Sequence, residues 1–546
     1  AVPSIAVLPF ASLSASRDDA YVADGIQGEL ITQLAGLGGL KVIGRTSVLR
    51  YRDTSLSVRE IGRELGIGAL VEGTVQKAGY RVRVTARLVD ARTEHQLWAE
   101  AYDRDASDLL AIQTEVAREI VRALGARLSG AARSRLDKRP TRDPEAYDLY
   151  LRGMYLTGRA VRVAEDQRLA VAALEQALAR DPSFTLARAA LAGSLSELAD
   201  FEDTEAIQAT ARAEAERALA EEPDRAETQL ALGHVLFAQG DYASAVRIAE
   251  KVLRSAPDHD TALFLLGVAE RRLGRQEEAA VHLERAAALS PFDSLRVGTL
   301  VGQLLQIRRY REAERACERL LLLGSSDENS NILCSYLPAL ARGDLAPLRR
   351  YLAAKPPRFP LSGPPATSLA QFLTVVPDRG REVLEAPGDD ALSLRPFLSR
   401  AVILARAHAA LGNVARARRL ASSALPALRR EVAGREEDAF RRVALAEALA
   451  LSGRGEEGLR EGRRALALLP VETKPFEGAS LLEVFSVVAM EAGARGEALD
   501  ALERLLAMPS PVSAPLLRVD PRFAPLRGDP RFEALLAKYG GPGSGG

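Results

Sequence analysis

Two segments of the sequence align without a gap, LALGHVLFAQG at 230–240 and FLLGVAERRLG at 264–274, and their offset defines a 34-residue period. The same period separates a series of prolines and a series of alanines: Pro223, Pro257 and Pro291; Ala245, Ala279 and Ala313. A period of this length predicts a unit of two antiparallel helices, in which small residues let the backbones approach. The proline ends the second helix because it has no N–H to donate.

A Leu-Gly pair, a later glycine, a small residue and a closing proline at these spacings resemble the tetratricopeptide repeat. One such unit cannot bury its apolar face alone, so we expect the repeats to stack into a superhelical solenoid with a concave groove. The repeat register places a mixed apolar and cationic set of side chains on the inner helices of the third and fourth repeats, which predicts a groove for a peptide or helix. The predicted lining residues are Leu230, His234, Phe237, Phe264, Val268 and Arg271. The alternative is that about half of these side chains only pack against neighbouring repeats.

Composition excludes several classes of protein. Across 546 residues, 73 Lys and Arg balance 73 Asp and Glu, so no global charge favours nucleic acid or an anionic membrane. Cys317 and Cys334 are the only cysteines, too few for a disulfide framework or a thiolate metal site. No apolar run reaches the ~18 residues of a membrane span. Because the chain starts at Ala1 rather than Met, we expect a fragment, on the periplasmic side of the inner membrane if a membrane helix precedes Ala1 and cytoplasmic otherwise.

The amino-terminal part of the chain shows a different pattern, that of an α/β domain with a mixed sheet and flanking helices. Residues 5–10 and 40–43 predict strands joined by a crossover helix over 25–37, with Asp24 as its N-cap. A helix over 58–65, three antiparallel strands over 69–76, 80–90 and 95–102, and a helix over 109–128 follow. In the middle strand apolar residues alternate with polar ones, so one face of the sheet is predicted to be buried.

Seven blocks of this segment resemble the amino-terminal domain related to TolB: VPSIAVLPF, YVADGIQGELITQL, KVIGRTSVLRY, VREIGRELG, LVEGTV, RVRVTARLVDA and HQLWAEAYDRD. EAYDLYLRGMYL at 145–156 is similar to the first repeat that follows such domains, and the closing LLRVDPRFAPLRGDPRFEALLAKY at 516–539 to their usual end. The resemblance implies a bacterial signalling protein in which a Ser/Thr kinase, adenylate cyclase or winged-helix domain precedes the module. It implies no catalytic residues.

These patterns divide the chain into five predicted segments. They are a TolB-like α/β domain at 1–135, a repeat array at 143–350, an irregular Pro-rich break or degenerate repeat at 351–400, looser repeats at 401–508, and a cap helix with a Gly-rich tail at 509–546. In the looser repeats we expect turn and close-packing positions at Gly412, Ala417, Gly453, Gly458, Gly493 and Ala498. We expect the fifth repeat, which begins near Leu295, to lack its closing proline.

Polar residues that follow predicted strand ends form a second candidate site, a pocket of the α/β domain: Asp24, Glu29, Arg45, Thr46 and Ser47. Helix capping and an ion pair explain these residues more simply. A stripe of Arg81, Arg83 and Arg87 suits an acidic partner, although cross-strand pairing with Glu72 or Glu100 is the simpler interpretation.

The phosphate-loop, zinc-protease, serine-hydrolase and kinase motifs are all missing from the sequence. We therefore expect no enzyme, cofactor or metal in this chain, but a scaffold that binds a protein or peptide partner through its groove. The alternative is an α/β module that senses a small ligand, with repeats that transmit the signal or form a homodimer.

Overall fold

The computed structural model describes residues 3–14, 20–78, 81–105, 108–126, 130, 139–157, 164–202, 205–322, 328–354, 373–385 and 399–540. The predicted 351–400 break falls largely outside these residues, as does most of the glycine-rich tail. The chain forms two compact units: residues 1–270 with 281–296, and residues 271–280 with 297–546.

The first unit begins with a mixed sheet. Its strands are β1 Ser4–Val7, β2 Ala11–Ser12, β3 Lys41–Val42, β4 Ala69–Ala78, β5 Arg81–Asp90 and β6 Gln96–Asp105. They lie in the order β3-β1-β4-β5-β6, with β2 paired to β4. β1 is parallel to β3 and to β4, whereas β5 is antiparallel to both of its neighbours, β4 and β6. The predicted alternation of β5 is confirmed, because its apolar residues Val82, Val84, Ala86 and Leu88 are all buried.

Helices α1 Ala20–Gly36, α2 Arg45–Val48, α3 Val58–Leu65 and α4 Leu109–Ala123 flank this sheet. A capping box at Ser57 and Glu60 starts α3, whose predicted bounds are confirmed. The predicted start of α1 is wrong, because the helix already runs from Ala20 and places Asp24 inside it rather than at its N-cap. The carboxylate of Asp24 is instead held by arginines downstream, a long-range contact that no local sequence signal encodes.

Paired helices continue the first unit: α5 Pro144–Thr157, α6 Ala164–Arg180, α7 Thr185–Glu202, α8 Glu205–Glu221, α9 Ala226–Ala238, α10 Tyr242–Ser255, α11 Asp260–Arg272 and α12 Gln276–Leu289, the last two extending into residues of the second unit. The second helix of each pair ends two residues before a proline of the sequence pattern: Pro182, Pro223, Pro257 and Pro291. Gly240 and Gly274 turn the chain between paired helices at positive φ, 82° in each case, a conformation that suits glycine. The helical repeats predicted from the sequence period are therefore confirmed.

The remaining helices lie in the second unit, apart from the first three residues of α13: α13 Ser294–Gln306, α14 Tyr310–Leu322, α15 Glu328–Arg342, α16 Ala346–Ala354, α17 Pro377–Glu385, α18 Arg400–Ala410, α19 Val414–Gly434, α20 Ala439–Leu451, α21 Gly455–Leu468, α22 Pro475–Glu491, α23 Arg495–Ala507, α24 Ala514–Val519 and α25 Pro530–Tyr539. The turn glycines predicted in the looser repeats, Gly412, Gly453 and Gly493, all have positive φ. α25 shares a core with α23, through Phe532, Leu535 and Leu502.

A disulfide between Cys317 and Cys334 joins α14 to α15. The expectation that two cysteines are too few for a disulfide framework holds, but a single bond needs only this one pair. The fold brings them together across a sequence separation of 17, with their Cα atoms 5.6 Å apart, within the range that a disulfide spans.

Candidate functional site

The predicted α/β pocket begins with a buried carboxylate on α1. Asp24 is paired with Arg52, and its Oδ2 lies 3.8 Å from Nη2 of Arg45. Burial lowers the pKa of Arg45, while the charge of Asp24 acts in the opposite direction. Two guanidinium groups thus compensate one carboxylate, and the ion pair that the sequence analysis weighed against a ligand site is present.

Glu29, one turn further along α1, faces the first repeat helix. Its Oε2 accepts a hydrogen bond from Oη of Tyr150 at 3.4 Å and its Oε1 accepts one from Nε2 of Gln33 at 3.0 Å. Burial raises the pKa of Glu29; the nearby Arg225 lowers it and Glu227 raises it. Both hydrogen-bond donors are neutral, which fits a carboxyl group that gains little from ionising in this position.

The segment after β3, which includes α2, is hydrogen-bonded to the end of the fourth repeat. The backbone N–H of Gly44 donates to the carbonyl oxygen of Leu289 at 3.0 Å, and Oγ of Ser47 accepts from the N–H of Phe292 at 3.0 Å. The guanidinium of Arg50 lies 4.3 Å from the centroid of the Phe292 ring. Thr46, by contrast, is exposed.

The predicted pocket residues Asp24, Glu29, Arg45 and Ser47 therefore lie in the region where the α/β domain meets the repeats of its own unit. A cavity of about 40 Å³ lies beside Gln33, the hydrogen-bond partner of Glu29, and is lined by Thr32, Gln33, Gly36, Leu37, Arg225, Ala226 and Glu227. This volume admits water, whereas small-molecule sites occupy roughly 300–1,000 Å³.

The predicted groove residues of the third repeat lie on α9. Leu230 is buried, whereas His234 and Phe237 are partly exposed. The Phe237 ring packs against Tyr242 with their centroids 5.4 Å apart. This repeat thus offers one imidazole and one aromatic face near its surface.

The predicted groove residues of the fourth repeat differ among themselves. Phe264 is partly exposed, and the guanidinium of Arg296 lies 5.3 Å from the centroid of its ring. Val268 is buried. Arg271 belongs to the second unit, where its guanidinium lies 4.8 Å from the ring centroid of Phe476. Burial, together with the charge of Arg272, lowers the pKa of Arg271 to about 9. Arg271 is therefore occupied by a contact within its own unit.

The arginine stripe of β5 is largely neutralised by neighbouring strands. Nε of Arg87 lies 2.8 Å from a carboxylate oxygen of Glu72, its cross-strand neighbour, as the simpler interpretation predicted. Arg81 pairs with Asp103, at 2.5 Å.

A cleft of about 450 Å³ in the second unit had no counterpart in the sequence analysis. It is lined by Arg429, Leu445, Leu449, Glu457, Arg460, Glu461, Arg463 and Arg464. Its arginines are partly neutralised, since Arg429 lies 3.5 Å from Glu457 and Arg463 lies 2.7 Å from Glu497. Among the described residues no group of His, Cys, Asp or Glu is arranged to hold a metal ion.

Comparison with known proteins supports the repeats. A family model for the tetratricopeptide repeat matches residues 230–294. The chain is similar in fold to a thermophilic TPR protein of Thermus thermophilus, with 17% identity, a TM-score of 0.31, and coverage of 36% of this chain and 100% of that one. It is also similar to a tetratricopeptide repeat protein of Parabacteroides merdae, with 15% identity, a TM-score of 0.31, and coverage of 54% and 98%. The family match identifies tetratricopeptide repeats within residues 230–294.

A curated relative comes from Rhizobium meliloti (strain 1021) and is named "Putative adenylate cyclase 3". It is 40% identical over 203 residues, which are 37% of this chain and 34% of the relative. The chain therefore matches about a third of that protein's length. In the part of the chain that is described, no helix has the length and apolarity needed to cross a membrane.

Proposed function

We propose that this chain is the non-catalytic interaction region of a bacterial multidomain signalling protein, with a TolB-like α/β domain that supports tetratricopeptide repeats. The repeats bind a protein or peptide partner through the inner helices of the third and fourth repeats. The likeness over 203 residues to a protein named as an adenylate cyclase supports a multidomain signalling context.

One observation carries this proposal: polar residues of α1 and α2 in the α/β domain are hydrogen-bonded to the repeats of the same unit. Glu29 bonds Tyr150 and Ser47 bonds the backbone of Phe292. A domain whose polar residues bond the repeats in this way is suited to hold the array. His234, Phe237 and Phe264 remain partly exposed on the inner helices, and partly exposed aromatic rings are the anchors that peptide grooves use.

The second candidate function is a small-ligand sensor in the α/β domain, with repeats that transmit the signal or dimerise. The lowered pKa of Arg45, which lies beside the buried Asp24, favours it, because a perturbed ionisable group often marks a functional site. The neighbouring cavity of about 40 Å³ speaks against it, since it has room for water only.

The experiment is a pulldown of partners from the source cell with the wild-type chain and a Phe237→Ala, Phe264→Ala double variant. Each aromatic anchor contributes about 2 kcal/mol or more to binding. We therefore expect the double variant to lose the partners identified with the wild type by mass spectrometry, while its circular dichroism stays helical.

Arg81→Glu combined with Arg83→Glu is the matched control, because both residues are exposed on β5. This variant keeps its partners if the groove binds them. Loss of capture in the arginine variant alone would move the binding site to the α/β domain and favour the second candidate.

A further inference from the structure

The disulfide of the second unit lies where the repeat pattern of the sequence breaks down. Three repeats close with a proline in the 34-residue period, and the next position in that series is Ser325. Cys317 lies before this position, on α14, and Cys334 lies after it, on α15. The covalent bond therefore spans the position at which the closing proline is missing.

Both cysteines occupy packing positions of the repeat. In the same period Cys334 continues the series Leu232, Leu266 and Leu300, and Cys317 continues the series Ala249 and Leu283. Leu266, Leu300, Ala249 and Leu283 are all buried, and Cys317 is buried as well. Earlier repeats thus have apolar side chains at the positions equivalent to Cys317 and Cys334. In the fifth repeat and the helix that follows it, a disulfide joins these two positions.

We propose that the Cys317–Cys334 disulfide is a structural clamp that replaces the closing proline of the fifth repeat, and that the second unit consequently matures in an oxidising compartment. Disulfides persist in the periplasm and outside cells, whereas thiol reductants keep cysteines reduced in the cytosol. Within these 546 residues neither cysteine has another thiol with which to pair.

Formation of the bond requires an oxidant, which we assign by class as a protein that carries a reactive disulfide. The thiolate of one cysteine attacks that disulfide and forms a mixed disulfide, releasing one thiol of the oxidant. The thiolate of the second cysteine then displaces the other oxidant sulfur. The two cysteines lose two protons and two electrons, and the oxidant becomes a dithiol.

The test is acid trapping of thiols in the source cell, followed by denaturation, labelling with a polymer-linked maleimide and detection of the full-length protein. Any cysteine in other parts of that protein is accounted for by comparison with a Cys317→Ser, Cys334→Ser double variant. We expect the wild type to show the same labelling as this variant before reduction and two more labels after it. Two additional labels without reduction would overturn the proposal, since both thiols would then be free in the cell.

Thermal unfolding of the purified chain tests the clamp separately. We expect Cys317→Ser, Cys334→Ser and the double variant to lower the Tm of the oxidised protein by the same amount, about 5 °C or more, because each removes the same bond. Dithiothreitol should lower the wild-type Tm similarly and leave that of the double variant unchanged. Ser335→Ala, next to Cys334 on α15, is the matched control. An unchanged Tm in reductant would show that the bond does not clamp the unit.

Discussion

Arg308 donates a hydrogen bond from Nη2 to the carbonyl oxygen of Met508 at 3.0 Å. The same nitrogen reaches the carbonyl oxygens of Leu505, at 3.0 Å, and Val512, at 3.2 Å. Arg308 occupies the position that follows Gly274 in the sequence period, at the turn between paired helices, and like that glycine it has positive φ, 62°. An unfavourable backbone conformation at this turn of the second unit thus comes with a side chain that binds carbonyl groups in the last turn of α23 and after it.

Replacing Arg308 with Gly relieves the strained backbone by about 1 kcal/mol but removes charge-assisted hydrogen bonds worth about 1.5–3 kcal/mol each. We expect a net loss of about 2 kcal/mol or more in the free energy of unfolding, measured by denaturant titration. Arg311→Ala, at an exposed position of α14, should change it by less than about 0.5 kcal/mol. An Arg308→Gly variant more stable than the wild type would show that the backbone strain at this turn outweighs the hydrogen bonds of the Arg308 side chain.

The contact of the α/β domain with the repeats depends on the absence of a side chain at Gly44. A Cβ there would collide with Oγ of Ser290 and lie 2.9 Å from Oδ2 of Asp260. We expect Gly44→Ala to cost about 1–3 kcal/mol of unfolding free energy as overpacking, and to make the loop after β3 more sensitive to proteases.

Gly68→Ala is the control for this substitution, because its Cβ would lie 3.7 Å from Oγ of Ser4, an ordinary contact. Equal melting temperatures and digestion patterns for the two variants would contradict the close approach of this loop to the fourth repeat.

Gly233 lies where paired and neighbouring helices approach. A Cβ at this position would stand 2.7 Å from Cδ2 of Leu265 and 3.1 Å from Cγ2 of Ile248. We expect Gly233→Leu to destabilise the array by about 1–3 kcal/mol or more, and coupling between stacked repeats should spread the loss beyond one repeat. The same substitution at Gly267, which is also buried, should act similarly.

Gly302→Leu serves as the control for Gly233→Leu, since a Cβ at Gly302 would meet no atom within 4 Å. Thermal unfolding followed by circular dichroism compares the variants. If Gly233→Leu melts no lower than Gly302→Leu, the helix packing assigned to the third repeat is incorrect.

Glu29 predicts a pH dependence of stability. Because burial raises its pKa in the folded protein above the ordinary value of 4.5, the folded state binds the proton more tightly than the unfolded state. The stabilisation of the folded state by protonated Glu29 is fully present below pH 4.5. It is lost as the pH rises through the raised pKa of the folded protein. Glu29→Gln keeps the shape without the charge, so we expect a smaller decline of stability over this range than in the wild type.

The pH dependence is measured by chemical unfolding of both proteins at a series of pH values. Glu175→Gln, at an exposed position of α6, should retain the wild-type profile. A Glu29→Gln profile parallel to that of the wild type would mean that Glu29 stays ionised in the folded protein.

Local patterns in the sequence determined much of the backbone. The repeat period predicted helical pairs whose second helices end two residues before Pro223, Pro257 and Pro291. The alternation in β5 predicted which of its side chains are buried. Both outcomes follow from forces that act within a few residues: proline has no N–H for helix hydrogen bonding, and successive strand side chains point to opposite faces.

Only the tertiary structure decided how distant ionisable and sulfur-bearing side chains are used. Asp24 lies within α1 rather than at its start, Ser47 bonds Phe292, and Cys317 meets Cys334. Arg271, predicted to face a partner, packs on Phe476. Buried charges and polar groups require compensating partners. The fold supplies those partners from positions far away along the chain, so no local sequence pattern predicts them.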